Sequence, residues 1–232
     1  MSAAAIHNEY NSIANLIYFP SAVAAHILFG TVLYLLYTGN KRPGLRLMSL
    51  TFAAMSFSVF WVAGYPRFAF TEVAFLVLFL CSVYELLRPL TAWGLGKGRP
   101  LWVRRVGYLA LAWAWIYPHH IPWWAAVFGA PLGVLPSPTL LALVAMLWLA
   151  FPQTNRLLHW AAAGLGILYG LFGVVFVHIP SDIILVAVSG LSMRELIQSS
   201  RKAGGFLEED LTPREQPQSF SKQTKKDQVW RI

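Results

Sequence analysis

Hydrophobic residues occur along this chain in long runs between Ile13 and Ile197, and short polar or Pro- and Gly-containing segments separate the runs. Several runs reach about 17 to 25 residues, the length that a helix needs to cross a hydrocarbon core about 30 Å thick. The pattern predicts an all-α, polytopic membrane helix bundle with about seven transmembrane helices. The predicted helices cover residues 13–37, 47–64, 68–90, 106–117, 139–151, 157–177 and 182–198.

The basic residues between the predicted helices indicate an orientation. If the helices cross alternately, these Lys and Arg residues fall on one side, and only Arg67 falls on the other. Cytoplasmic loops of membrane proteins carry the excess of Lys and Arg, so we expect the N-terminus outside and the C-terminus in the cytoplasm. The residues that set this orientation are Lys41, Arg42, Arg46, Lys97, Arg99, Arg104, Arg105, Arg156, Arg201 and Lys202.

Three further segments of the chain lie outside the predicted helices. Residues 1–12 are predicted to be an outer N-terminal segment that precedes the bundle of residues 13–200. Residues 121–136 are apolar but too short to span, and Trp123 and Trp124 suit the headgroup level, which favours an interfacial or re-entrant element on the outer face. Residues 201–232 are polar, and they predict a basic cytoplasmic tail that is flexible or ordered by a partner.

The overall composition supports the same class of protein. With 57% hydrophobic and 12% charged residues and a mean hydropathy of +0.55, the chain is far from the composition of a soluble domain. A net charge of +8 alone would suggest nucleic acid as a partner, but the basic residues flank apolar runs, where membrane orientation explains them. We therefore expect the lipid bilayer and other membrane protein subunits as partners, and no nucleic acid. The single cysteine, Cys81, excludes an intrachain disulfide.

Ionisable side chains within membrane spans are energetically costly, so each is a candidate for function. A group of His and acidic residues is predicted to lie near the outer face, where it would suit a divalent metal ion or a proton relay. Structural roles stay open for two of them, because Glu72 could pair with Arg67 and Asp182 could cap a helix. No recognised metal-ligand spacing occurs. The predicted outer polar cluster consists of Glu72, His119, His120, His178 and Asp182.

A second candidate is the start of the helix at residues 136–139, where Pro136, Ser137 and Thr139 would form a broken-helix ligand site. The exposed amides of a helix N-terminus can hold an anion or a polar ligand, and broken segments line cavities in transporters. The alternative is a rigid loop in which proline starts the helix. The basic GLGKG segment at residues 94–98 is interpreted as a flexible loop rather than a phosphate-binding loop.

The sequence argues against several cofactors. A retinal Schiff base needs a lysine in the last helix, and every lysine of this chain lies in a loop or in the tail. Haem is disfavoured because His26, near the middle of the first helix, has no second histidine at similar depth. No catalytic residues are predicted, since dinucleotide and nucleophile-elbow motifs are missing. A metal ion at the outer cluster stays an alternative.

The C-terminal half carries a Pro-x-Pro-Thr helix start at residues 136–139, a Pro-bounded apolar helix, and a turn containing Pro180 and Asp182. In these features residues 128–191 resemble an uncharacterised family of bacterial multi-pass membrane proteins, domain-of-unknown-function family 6064. The resemblance implies a bacterial inner (cytoplasmic) membrane and no particular activity. Cysteine commonly stands in that family where this chain has Ser137, and the departure weakens any soft-metal role.

Three functions are consistent with these observations. The leading prediction is a non-catalytic component of a larger membrane protein assembly, because charged side chains in the spans are few. A small transporter or channel for a metal ion, proton or small solute would instead use the outer polar cluster. A membrane enzyme acting on a lipid-soluble substrate would use the same His and acidic residues as acid and base.

Overall fold

A computed structural model describes residues 19–38, 41–64, 69–117 and 132–211, together with positions 5, 8, 9 and 12. The described chain is helical throughout its regular elements and contains no strand. Its seven α-helices are α1 (Phe19–Tyr37), α2 (Lys41–Val59), α3 (Ala69–Leu87), α4 (Leu101–Ile116), α5 (Pro136–Ala150), α6 (Arg156–Phe172) and α7 (Asp182–Leu211). Two π-helical segments, Phe60–Gly64 and Gly173–Val177, extend α2 and α6. Residues up to Ile197 form one compact unit.

The helices agree with the predicted ones in number and approximate position, and the differences lie at their ends. Helix α2 begins at Lys41 and α4 at Leu101, five or six residues before the predicted starts. Helix α7 continues to Leu211, so the first residues of the predicted tail are helical. The predicted outer N-terminal segment, most of the interfacial element and the rest of the tail lie outside the described residues, although Leu132, Val134 and Leu135 are described and buried.

Helix α5 forms the centre of the structure. Every one of its residues except Ser137 is buried, because the helix is apolar on all sides and packs against α2, α4 and α6. Its first residue is Pro136, which suits a helix start because a proline there loses no hydrogen bond. The remaining helices surround this element and present large apolar side chains outward.

The outward apolar surface extends over several helices. Exposed large side chains include Phe70 and Leu80 on α3, Leu109 on α4, and Leu168 and Phe176 at the α6 end. Three helical segments of the described chain are long and apolar enough to cross a membrane: Ala69–Leu87, Arg156–Val177 and Asp182–Arg201. Helices Ala22–Tyr37, Arg46–Val62 and Pro136–Ala150 are apolar but shorter.

Glycines allow α6 and α7 to approach closely. A Cβ atom on Gly170 would lie 2.6 Å from Cγ2 of Val186 and 3.0 Å from the Val186 backbone nitrogen. A Cβ atom on Gly166 would collide with Ser189. Small residues where two helices touch allow the helix backbones to approach closely, which is common in the packing of membrane helices. Gly166 and Gly170 therefore serve packing within the chain.

Candidate functional site

Polar side chains of the described residues meet at Asp182, which is the first residue of α7. Its side chain is only 1% exposed. The carboxyl group accepts a hydrogen bond from the Tyr117 hydroxyl and another, at 3.1 Å, from the Ser137 hydroxyl. Asp182 thus joins the end of α4 and the start of α5 to the start of α7. The positive ends of α5 and α7 both lie at this carboxyl group, and they favour negative charge there.

Tyr117 reaches Asp182 because the chain turns sharply at the end of α4. Its backbone has φ 25° and its amide donates to the Trp113 carbonyl at 2.7 Å, which ends the helix. His178, which precedes α7, has φ 61°. These are the two non-glycine residues with positive φ in the described ranges, and each such conformation costs about 1 to 3 kcal/mol. Tyr117 contacts Asp182, and His178 precedes it by four residues.

The predicted broken-helix site contributes one direct contact. Ser137 reaches Asp182, whereas the Thr139 hydroxyl donates to the Leu135 carbonyl and accepts from the Gly133 amide, each at 2.8 Å. Thr139 therefore holds the turn before α5 in shape. The segment is a proline-started helix that places the Ser137 hydroxyl against Asp182, and the ligand site at this helix start stays a prediction.

A small cavity lies beside the carboxyl group. It is bounded by Pro136, Ser137, Tyr169, Gly173 and Asp182 and has a volume of about 10 Å³. That is close to the smallest space that can hold one water molecule. The π-helical segment at the end of α6 supplies Gly173, where any Cβ atom would overlap the Asp182 side chain. The site is therefore closed by close packing and has no room for a larger ligand.

Of the other members of the predicted outer polar cluster, the structure describes Glu72 and His178, and neither makes a hydrogen bond to Asp182. Glu72 lies half-buried in the first turn of α3 and makes no hydrogen bond or ion pair with another described residue. His178 is exposed and makes no hydrogen bond to Asp182. His119 and His120 lie outside the described residues, as does Arg67. Among the residues that the structure describes, no three His, Cys, Asp or Glu side chains are placed to hold a metal ion.

Two buried histidines make contacts between helices. The ring nitrogens of His26 lie 2.7 Å from the Ala22 carbonyl oxygen and 3.0 Å from that of Trp115, which ties α1 to α4. His159 is fully buried and lies 2.6 Å from the Ser192 hydroxyl of α7.

Sequence reasoning missed Tyr117 and Glu85. A tyrosine at a helix end looks like an ordinary membrane-interface residue, and nothing local shows that it faces Asp182. Glu85 lies three residues before Arg88, a spacing that by itself favours an ion pair on the helix surface. It is instead 0% exposed and accepts a 2.7 Å hydrogen bond from the Thr91 amide.

Comparisons with known proteins add no relative. No protein-family model, curated protein sequence or solved structure matches the chain. The resemblance to domain-of-unknown-function family 6064 stays a prediction, and the function is inferred from the geometry alone.

Proposed function

We propose that this chain is a multi-pass membrane protein that serves as a non-catalytic component of a larger membrane protein assembly. The observation that supports this most is the engagement of its buried ionisable side chains. His26, Glu85, His159 and Asp182 each contact a group from another helix or from a loop. Polar groups within a membrane are costly, and contacts of this kind offset the cost by joining helices.

The outward surface supports the same proposal. The exposed side chains on α3, α4 and α6 are mainly Leu, Val and aromatic residues, which suit lipid or another apolar helix. Such side chains can act through packing, as membrane helices do when they associate. An assembly of membrane subunits uses this kind of surface.

One observation favours a second candidate, a transporter or channel for a proton or small solute. Ser137 and Asp182 come from separate helices and meet beside the 10 Å³ cavity, as a transport site between helix starts would require. The candidate needs a water-filled path from Asp182 to one face. In the described residues, Asp182 is enclosed, so this proposal ranks below the first.

Site-specific photo-crosslinking in native membranes tests the leading proposal. A photoreactive amino acid replaces one exposed residue at a time, namely Leu80 on α3, Leu109 on α4 or Leu168 on α6. We expect at least one position to form a crosslink to a single protein in a fixed ratio, which mass spectrometry identifies. Phe75, which is fully buried on α3, is the matched control and should crosslink only within the chain.

The proposal is contradicted if all three exposed positions crosslink to lipid alone and the chain purifies without a protein partner. Solute or proton flux into proteoliposomes that Asp182→Asn abolishes would then favour the transporter. Flux that is the same for Asp182→Asn and the unaltered chain would argue against that second candidate as well.

A further inference from the structure

The segment between α3 and α4, residues 88–100, has no regular secondary structure, yet its side chains are fixed by contacts with the helices. The Thr91 amide donates to Glu85 Oε1 at 2.7 Å, and the Trp93 indole donates to the Ser49 hydroxyl of α2 at 2.9 Å. Trp93 is buried. These contacts connect the first half of the segment to α3 and α2.

The second half is fixed in the same way. The Tyr108 hydroxyl of α4 donates to the Leu95 carbonyl at 2.5 Å, and Arg99 forms an ion pair with Glu195 of α7. Loops held to a helix framework at several points commonly carry binding functions. The segment therefore has the rigidity that a binding site requires.

A second loop, which follows α5, packs against this segment. The Ala92 amide donates to the Gln153 carbonyl at 2.8 Å, and the Asn155 amide donates to the Thr91 hydroxyl at 3.0 Å. The segment at residues 92–99 and the loop at 149–153 enclose a cavity of about 420 Å³. This volume lies in the usual range for small-molecule sites.

Positive charge dominates the cavity. Lys97 and Arg99 line it, and Arg104 packs against the loop, since a Cβ atom on Gly96 would lie 3.1 Å from Arg104 Cγ. The Nε atoms of Arg99 and Arg104 are buried and have no hydrogen-bond partner within the described chain. Among the described residues, the carboxylate that pairs with these cations is Glu195, which contacts Arg99, so an anionic ligand would complete their charge balance.

The lining also includes the apolar residues Leu36, Leu149 and Phe151, and the Arg99 guanidinium lies 5.4 Å from the centre of the Phe151 ring. A ligand that satisfies both the charged and the apolar parts is amphipathic. The cavity also lies at the ends of apolar helices, where the headgroups of a bilayer would be found. Basic pockets of this kind between membrane helices suit phosphate-bearing lipid headgroups.

We propose that this cavity binds the phosphate headgroup of an anionic phospholipid, with Lys97, Arg99 and Arg104 as its cationic contacts. The glycerol and the upper acyl chains lie against Leu36 and Leu149. Gly96 and Gly98 have φ 71° and 90°, a backbone conformation that glycine adopts without strain and that lets the loop curve along the cavity. The inference does not depend on the proposed assembly, because a single copy of the chain contains the whole site.

Native mass spectrometry of the full chain in detergent tests this site with added phosphatidylglycerol. Phosphatidylcholine serves as the zwitterionic comparison. We expect one phosphatidylglycerol to bind with preference, and Lys97→Gln and Arg104→Gln each to weaken it about fivefold, as the loss of one interfacial cation predicts. Arg105→Gln is the matched control, since Arg105 is exposed, neighbours Arg104 and carries the same charge.

Several results would overturn the proposal. Equal binding of phosphatidylcholine would remove the role of charge, and an equal loss in Arg105→Gln would show adsorption to the basic surface in general. Displacement of the lipid by a millimolar excess of inorganic phosphate would identify a free anion site instead. Lys97 is exposed, so Lys97→Gln leaves the packing intact and carries the test even if Arg104→Gln unfolds the protein.

Discussion

Asp182 begins a helix, yet its carboxyl group contacts side chains from other helices. The Tyr117 and Ser137 hydroxyls donate hydrogen bonds to it, and Gly173 packs directly against it. A buried polar group without partners would cost several kcal/mol in a bilayer, so these contacts are what make the residue tolerable there. The hydrogen bonds of this carboxyl group thereby connect α4, α5 and α7.

A double-mutant cycle measures the coupling free energy of the hydrogen bond between Tyr117 and Asp182. We expect Tyr117→Phe and Asp182→Asn each to destabilise the protein, and the two together to show a coupling of about 1 kcal/mol, the scale of interhelical hydrogen bonds in membranes. Reversible unfolding in mixed micelles provides the free energies. Tyr34→Phe, at an exposed tyrosine of α1, is the control and should be nearly neutral. Strictly additive effects of the first two changes would show that the hydrogen bond contributes nothing.

Gly173 provides a second test at the same site. Gly173→Ala places a methyl group on the Asp182 side chain, and we expect a loss of about 1 to 3 kcal/mol from overpacking. Gly190→Ala is the matched control, because a Cβ atom there meets nothing within 4 Å and alanine favours the helix by up to about 1 kcal/mol. The unfolding assay compares the two. If both variants are equally stable, the close fit at Gly173 is wrong.

At the scale of elements, the sequence predicts helices well because apolar runs and helix-breaking residues act locally. The ends are less predictable. Arg104 and Arg105 look like loop residues, yet they lie in the first turns of α4, where the Arg104 stem packs against Gly96. Long basic side chains can cover apolar surface while their charge stays in water, so a charge does not by itself end a helix.

The contact between α1 and α4 at His26 is testable by the same approach. We expect His26→Leu to lose about 1 kcal/mol of stability, because the ring no longer bridges to the Trp115 carbonyl. Thr31→Val on the same helix is the control, since that exposed hydroxyl bonds only to the Ile27 carbonyl of its own helix. Equal stabilities of the two variants in the micelle assay would exclude the bridge between the helices.

At the scale of the whole molecule, the Asp182 site was only partly predictable. Ser137 and Asp182 were both candidates, but they are 45 residues apart in the chain, and their meeting depends on how α5 and α7 pack. Glu72 and His178 were grouped with Asp182 because all were predicted to lie near one face. A shared depth in the membrane does not fix which way a side chain points around its helix, and neither residue reaches the carboxyl group.

The basic loop at residues 94–99 shows a similar limit. Its charges and glycines were visible in the sequence, and they indicated a loop. The cavity became apparent only from the second loop, the Arg99–Glu195 pair and the packing of Arg104. These contacts join distant parts of the chain, so no local pattern could reveal them.

Sided cysteine labelling in intact cells tests most directly whether this bundle crosses a membrane. With Cys81→Ala as background, Pro100→Cys and Pro180→Cys place single thiols at exposed loop positions before α4 and α7. We expect a membrane-impermeant reagent to label Pro180→Cys in intact cells and Pro100→Cys only after permeabilisation, with both proteins resistant to carbonate extraction. Labelling of both positions from one side, or release by carbonate, would contradict a membrane-spanning bundle with its basic loops in the cytoplasm.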